Sequence, residues 1–150
     1  MNIIYLDNNA TTRVSEEVIE AMLPYYGELY GNPSSIHTFG GQVHQVIDTA
    51  REMVAEFINA EPEEIVFTSC GTESDNTAIM STLMSNPEKK HIITTSVEHH
   101  AVLNFCNKMS KQGYDVTFLP VDTEGQIDLN ELESSITENT ALVSIMYANN

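Results

Sequence analysis

Between residues 65 and 148, short β-branched runs alternate with longer amphipathic stretches, and this alternation limits the possible folds more than any other feature. Ile65-Val66-Phe67-Thr68, His91-Ile92-Ile93-Thr94-Thr95, Asp115-Val116-Thr117-Phe118-Leu119-Pro120 and Ala141-Leu142-Val143-Ser144-Ile145-Met146-Tyr147-Ala148 read as strands. Residues 72–84 carry Ala78, Ile79 and Leu83 at helical spacing. Residues 98–111 place Ala101, Val102, Phe105 and Met109 on one face, and Gly113 supplies a stop. A short helix is expected over 129–136. Strands separated by helical crossovers predict an α/β fold: an open, largely parallel sheet with flanking helices.

Residues 1–63 follow a different pattern. A short strand at 3–6 leads into the polar loop Asp7-Asn8-Asn9-Ala10-Thr11-Thr12. Ser15 with Glu16 and Glu17 supplies a capping hydroxyl and first-turn acids for a helix ending before Gly27. Gly31-Asn32-Pro33-Ser34-Ser35 is turn chemistry. A long helix over 41–58 would carry Val43, Val46, Ile47, Ala50, Val54, Phe57 and Ile58 as its apolar stripe.

The chain has 150 residues, 41% of them hydrophobic, which is enough apolar material for a core. Six Lys+Arg stand against 22 Asp+Glu, a net charge of −16 that argues against nucleic acid or an anionic membrane as partner. No apolar run approaches the ~20 residues of a bilayer span, and the first residues lack the basic region of a signal peptide. Cys70 and Cys106 are too few for a disulfide framework, so a reducing, cytoplasmic setting is expected. The chain stops at Asn149-Asn150, just after a buried-strand pattern, and is expected to be part of something longer.

The strongest local site is Phe67-Thr68-Ser69-Cys70-Gly71-Thr72-Glu73-Ser74-Asp75-Asn76, where a strand hands over to a helix. A helix N-terminus offers free N–H groups and a positive dipole end, Gly71 permits close backbone approach, and Thr72 adds a hydroxyl. That suits a phosphate. The competing reading is a capping box, Thr72-x-x-Asp75. No Walker loop or dinucleotide fingerprint is present. His99 follows the second strand and could stack on a flat ring or move a proton; a surface or capping role is the alternative. Glu98-His99-His100 lacks zinc-type spacing, and no metal is expected. Cys70 could be a thiolate nucleophile or, more in keeping with its size, a buried filler. Cys106 reads as packing, and His37 and His44 have no evident partner. Asn149 and Asn150 again fall at a strand's carboxyl end. A small phosphorylated aromatic ligand would use all three strand ends.

These motifs together resemble the cysteine desulfurases of the NifS/IscS class, pyridoxal-phosphate enzymes of fold type I. The resemblance runs from Tyr5-Leu6-Asp7-Asn8-Asn9-Ala10-Thr11-Thr12 through Gly31-Asn32-Pro33-Ser34-Ser35-Ile36-His37 with Phe39-Gly40. It continues through Glu64-Ile65-Val66-Phe67-Thr68-Ser69, Gly71-Thr72-Glu73-Ser74-Asp75-Asn76, Ile92-Ile93-Thr94-Thr95 and Glu98-His99 with Ala101-Val102-Leu103. It ends on Leu142-Val143-Ser144-Ile145-Met146 and Asn149-Asn150. Cys70, where many relatives carry glycine, points with Leu6-Asp7-Asn8-Asn9 to the NifS branch.

The resemblance implies the N-terminal part of the fold type I architecture, with residues 1–15 in a small domain and 16–150 in an incomplete large, cofactor-binding domain. Gly71 and Thr72 would hold the phosphate of pyridoxal 5'-phosphate. His99 would stack on the ring and relay protons, Asn150 would approach its phenolic oxygen, and Asn8, Asn9 and Ala10 would line the substrate entrance. The implied reaction converts L-cysteine to L-alanine and an enzyme persulfide. The sulfur would go to an iron–sulfur scaffold or another acceptor protein, including for nitrogenase, and a homodimer is implied for the full-length enzyme. A selenocysteine lyase, a sulfinate desulfinase, an aminotransferase-like enzyme, a truncated non-catalytic binding module and a phosphosugar-binding domain are the alternatives. The family's Schiff-base lysine, pyridinium aspartate, persulfide cysteine and carboxylate-binding arginine have no counterpart here. Lys89, Lys90, Lys108 and Lys111 read as surface residues. The 150-residue chain is therefore expected to release no sulfide or alanine from cysteine beyond the free-cofactor background; turnover above it contradicts the assignment.

Overall fold

The computed structural model describes residues 4–149. The chain divides between Phe67 and Thr68 into two compact units.

The first unit is helical. Ser15 caps α1 (Glu16–Met22), its hydroxyl accepting from the Val18 N–H at 3.4 Å, and Pro24 opens the single turn α2 (Pro24–Gly27). Asn32 closes the expected turn, its side chain accepting from the Ser34 N–H at 2.9 Å. The long helix α3 (Thr38–Ile58) starts three residues earlier than expected because His37 caps it, Nδ1 accepting from the Gly40 N–H at 3.2 Å. Asn59 ends it in the left-handed conformation, φ 55°. Gly40 is obligatory, since an added Cβ would strike the Asn32 carbonyl oxygen. The expected α3 stripe is largely solvent-exposed at Val46, Val54, Phe57 and Ile58; the buried residues of the helix are instead Gly40 and Ala55, neither of them in that stripe.

Two expected strands do not form. Residues 4–6 form no regular element, with Ile4 and Leu6 exposed, and position 3 lies outside the described residues. Residues 65–68 are also unpaired. Arg51 meets this segment: its Nε donates to the Ile65 carbonyl at 3.4 Å, and its guanidinium lies 5.2 Å from the Phe67 ring centroid.

The second unit contains the sheet. Its elements are α4 (Gly71–Ser85), β1 (His91–Thr95), α5 (His100–Lys111), β2 (Asp115–Leu119), α6 (Leu129–Ser135) and β3 (Thr140–Val143). The strand order is β2-β1-β3, both pairings parallel, so the expected open parallel sheet forms with three strands rather than four. The last strand is shorter than expected. Ser144 N–H still reaches the Ile93 carbonyl at 2.9 Å, but the Met146 N–H turns to the Glu98 carboxylate at 2.7 Å and leaves the ladder.

Every residue of β1 is buried. Ile92 packs with Ile79 and Leu83 of α4 and with Val102, Phe105, Cys106 and Met109 of α5. The helices cover the sheet because their apolar residues recur at helical spacing. At the other end of β1, His91 is held between strands, its Nδ1 2.8 Å from the Thr140 hydroxyl and its Nε2 2.9 Å from the Thr117 hydroxyl. Ile92→Ala removes a fully buried side chain and should cost about 2–5 kcal/mol; urea unfolding checks this, and a change near zero would contradict the placement of the core.

Candidate functional site

The approach to α4 is built by side chains reaching back to backbone. The first-turn acid Glu73 accepts the Ser69 N–H at 2.6 Å, and Thr68 and Ser74 share a hydroxyl–hydroxyl bond of 2.6 Å. Both of those hydroxyls also lie within hydrogen-bond distance of the Cys70 carbonyl, at 3.2 and 3.3 Å, so that one donates to it while the other donates across the hydroxyl pair. The expected Thr72–Asp75 capping box is thus replaced by a Ser69–Glu73 bridge. Cys70 occupies the N-cap position. Space is open where a Gly71 Cβ would stand. The first turn of this 15-residue helix can therefore face an anion with its N–H groups.

Cys70 is exposed, which corrects its reading as a buried filler. The Glu73 N–H, then the Ser69 hydroxyl, hold its thiol below the ordinary cysteine range. The carboxyl of Glu73 is lowered as well, by the Ser69 N–H and hydroxyl. Cys106 matches its expected packing role: it is buried in α5, and burial followed by the nearby Glu98 charge raises its thiol pKa.

His99 caps α5, Nδ1 accepting from the Ala101 N–H at 3.1 Å. The capping role and an exposed ring thus coexist. The His100 ring lies 6.3 Å away between ring centroids, tilted by 54°, and borders the same cleft. Thr72, Asn76 and His99 line one cleft of about 400 Å³ between α4 and α5. Asn76 contributes a buried side-chain oxygen that has no partner among the described residues, as does the Thr94 hydroxyl. A second cavity, about 740 Å³, is bordered by Thr95, Val97, Met146 and Asn149 at the carboxyl ends of β1 and β3. Asn149 donates from its amide to the Val97 carbonyl at 2.6 Å.

Gly71, Thr72, His99 and Asn149 thus lie at one edge of the second unit. Asn150 falls outside the described residues. Asn8, Asn9 and Ala10 belong to the first unit, in an exposed turn closed by Ala10 N–H to the Asp7 carbonyl at 3.2 Å. Sequence reasoning quoted Asn76 and Glu98 only as parts of motifs. A polar residue one turn into an anion-facing helix, and an acid directly before a site histidine, were the available signals. It also left His37 and His44 without partners; His37 caps α3, and His44 sits 3.1 Å from Asp48.

Residues 4–150 match the family model described as Aminotransferase class-V. The chain is 62% identical over 150 residues to a cysteine desulfurase of Nostoc sp. (strain PCC 7120 / SAG 25.82 / UTEX 2576), covering 100% of this chain and 38% of that protein. It is 53% identical over 148 residues to the cysteine desulfurase NifS of Azotobacter vinelandii, covering 98% of this chain and 37% of that protein. A solved NifS-like protein superposes with TM-score 0.89 at 45% identity, over 95% of this chain and 39% of its own. The chain therefore spans well under half the length of these relatives.

The lowered thiol pKa makes Cys70 thiolate at a pH where an ordinary cysteine is still protonated, and the raised one keeps Cys106 protonated. Iodoacetamide should alkylate Cys70 first, with a pH midpoint below that of free cysteine, and Cys106 only on unfolding. Equal rates at the two sites would contradict this.

Proposed function

The chain belongs to the aminotransferase class-V family, and we propose that it forms the N-terminal portion of a pyridoxal 5'-phosphate-dependent cysteine desulfurase of the NifS type. The observation that carries this reading is the cleft shared by Thr72, Asn76 and His99 at the open N-terminus of α4. Its chemistry fits a phosphorylated aromatic ring: first-turn N–H groups and a hydroxyl for the phosphate, an exposed imidazole for the ring, and an unpartnered amide oxygen for a ligand donor.

In this reading Gly71 and Thr72 hold the phosphate through N–H groups and the Thr72 hydroxyl. With Nδ1 accepting from the Ala101 N–H, the His99 ring carries its proton on Nε2, from which it can donate a hydrogen bond beside the ligand. Asn150 is assigned to the ring's phenolic oxygen, and Asn8, Asn9 and Ala10 to the substrate entrance, by resemblance to the family. The bound cofactor supplies an electron sink for the substrate's Cα. The substrate is L-cysteine, the products are L-alanine and an enzyme-bound persulfide, and the sulfur passes to an iron–sulfur scaffold or other acceptor protein. Residues 1–15 are assigned to a small domain and 16–150 to the large one, in a homodimer.

No helix among the described residues is long and apolar enough to cross a membrane. The two free cysteines suit the reducing cytoplasm proposed as the enzyme's location.

In the full-length protein, Thr72→Val removes a hydrogen bond to a charged phosphate, worth about 1.5–3 kcal/mol. Affinity for pyridoxal 5'-phosphate should fall about ten- to a hundredfold, and His99→Ala should lower alanine formation from cysteine. Unchanged cofactor affinity in a folded Thr72→Val protein would contradict the site.

A further inference from the structure

Glu98 is 6% exposed, an unusual place for a carboxylate. Burying one is costly unless donors surround it. Here Oε1 accepts from the Thr95 hydroxyl at 3.0 Å and from the Met146 N–H at 2.7 Å. Beside it, the Asn149 amide donates to the Val97 carbonyl. The bonds from Met146 and Asn149 join stretches 48 and 52 residues apart in the chain: the turn between β1 and α5, and the segment after β3. His99 is the next residue along that turn. Its ring is fixed at Nδ1 by the Ala101 N–H.

We infer that Glu98 is a positioning residue: by fastening the His99 turn to the segment after β3, its carboxylate keeps the His99 imidazole in one orientation and one tautomer, with the proton on Nε2. The inference deepens the proposed function and rests on its assignment of His99 to the cofactor ring. An apolar side chain could fill the same space, but it would not accept the Met146 N–H. That N–H would then lie without its partner, and the turn would lose its link to the segment after β3.

The test uses the ¹⁵N-labelled 150-residue chain with Glu98→Gln and Glu98→Ala. Glutamine retains an oxygen at the accepting position; alanine does not. In Glu98→Ala, the Met146 amide should exchange at least about tenfold faster, and the His99 ring nitrogens should shift toward a mixture of tautomers. Glu98→Gln should keep the wild-type pattern at both. His91, at the far end of β1 between Thr117 and Thr140, reports whether the sheet itself has loosened, and its ring signals should not move. In the full-length protein, with pyridoxal 5'-phosphate as probe, Glu98→Ala should bind about tenfold more weakly than Glu98→Gln. An unchanged His99 ring in Glu98→Ala would overturn the inference, as would His99 and His91 shifting together. A full-length protein that binds no pyridoxal 5'-phosphate would count against the proposed function, while the ring signals would still decide the role of Glu98.

Discussion

The second unit depends on β1 being buried along its whole length and paired in parallel on both sides. A strand in that position must be covered on both faces and must be reached by crossover connections. Parallel pairing then brings the carboxyl ends of β1, β2 and β3 to one edge. Thr95, Glu98 and His99 follow from β1, and Ser144 and Met146 from β3, so chemistry separated by about fifty residues meets in space. Ligands of open α/β sheets bind at this edge because the strands end there and the next helices begin, turning free N–H groups toward a common region. The opposite end of β1 is closed by His91, whose ring joins hydroxyls from both neighbouring strands.

The electrostatics of the edge are local. A chain of net charge −16 should repel a phosphate over most of its surface. Yet two groups at the start of α4, the Cys70 thiol and the Glu73 carboxyl, are both held more acidic than usual by backbone N–H groups and the Ser69 hydroxyl. Those donors stabilise the negative charge of these two groups. Net charge therefore decides which large partners are excluded, and the helix terminus decides what a small anion meets.

The helices of the sheet unit were legible because their apolar residues recur at a spacing that only a helix places on one face; Ile79, Leu83, Val102, Phe105 and Met109 are all buried as their spacing requires. His91-Ile92-Ile93-Thr94-Thr95 was legible as a strand for the same kind of reason. Ile65-Val66-Phe67-Thr68 has equal β propensity and forms no strand, because propensity does not say whether a neighbouring strand is there to pair with; the Ile65 carbonyl and Phe67 ring meet Arg51 instead. The end of β3 was overestimated because nothing in residues 144–148 discloses that a carboxylate just after the neighbouring strand takes the Met146 N–H. In the site, Gly71, Thr72 and His99 could be read from residue type next to a strand end. Cys70 was misplaced because a small thiol is as compatible with a core as with an exposed cap, and only the backbone path separates the two. Asn76 and Glu98 act through long-range geometry, which residue spacing does not carry.

The claim that the α4 terminus and the His99 turn together form one site for a phosphorylated ring is tested most directly by mapping backbone amide shifts as pyridoxal 5'-phosphate is added to the labelled chain. Shifts concentrated at residues 71–74 and 98–101, with residues 48–65 unmoved, are the expected result. Shifts confined to residues 48–65, or absent at 71–74, would contradict the account.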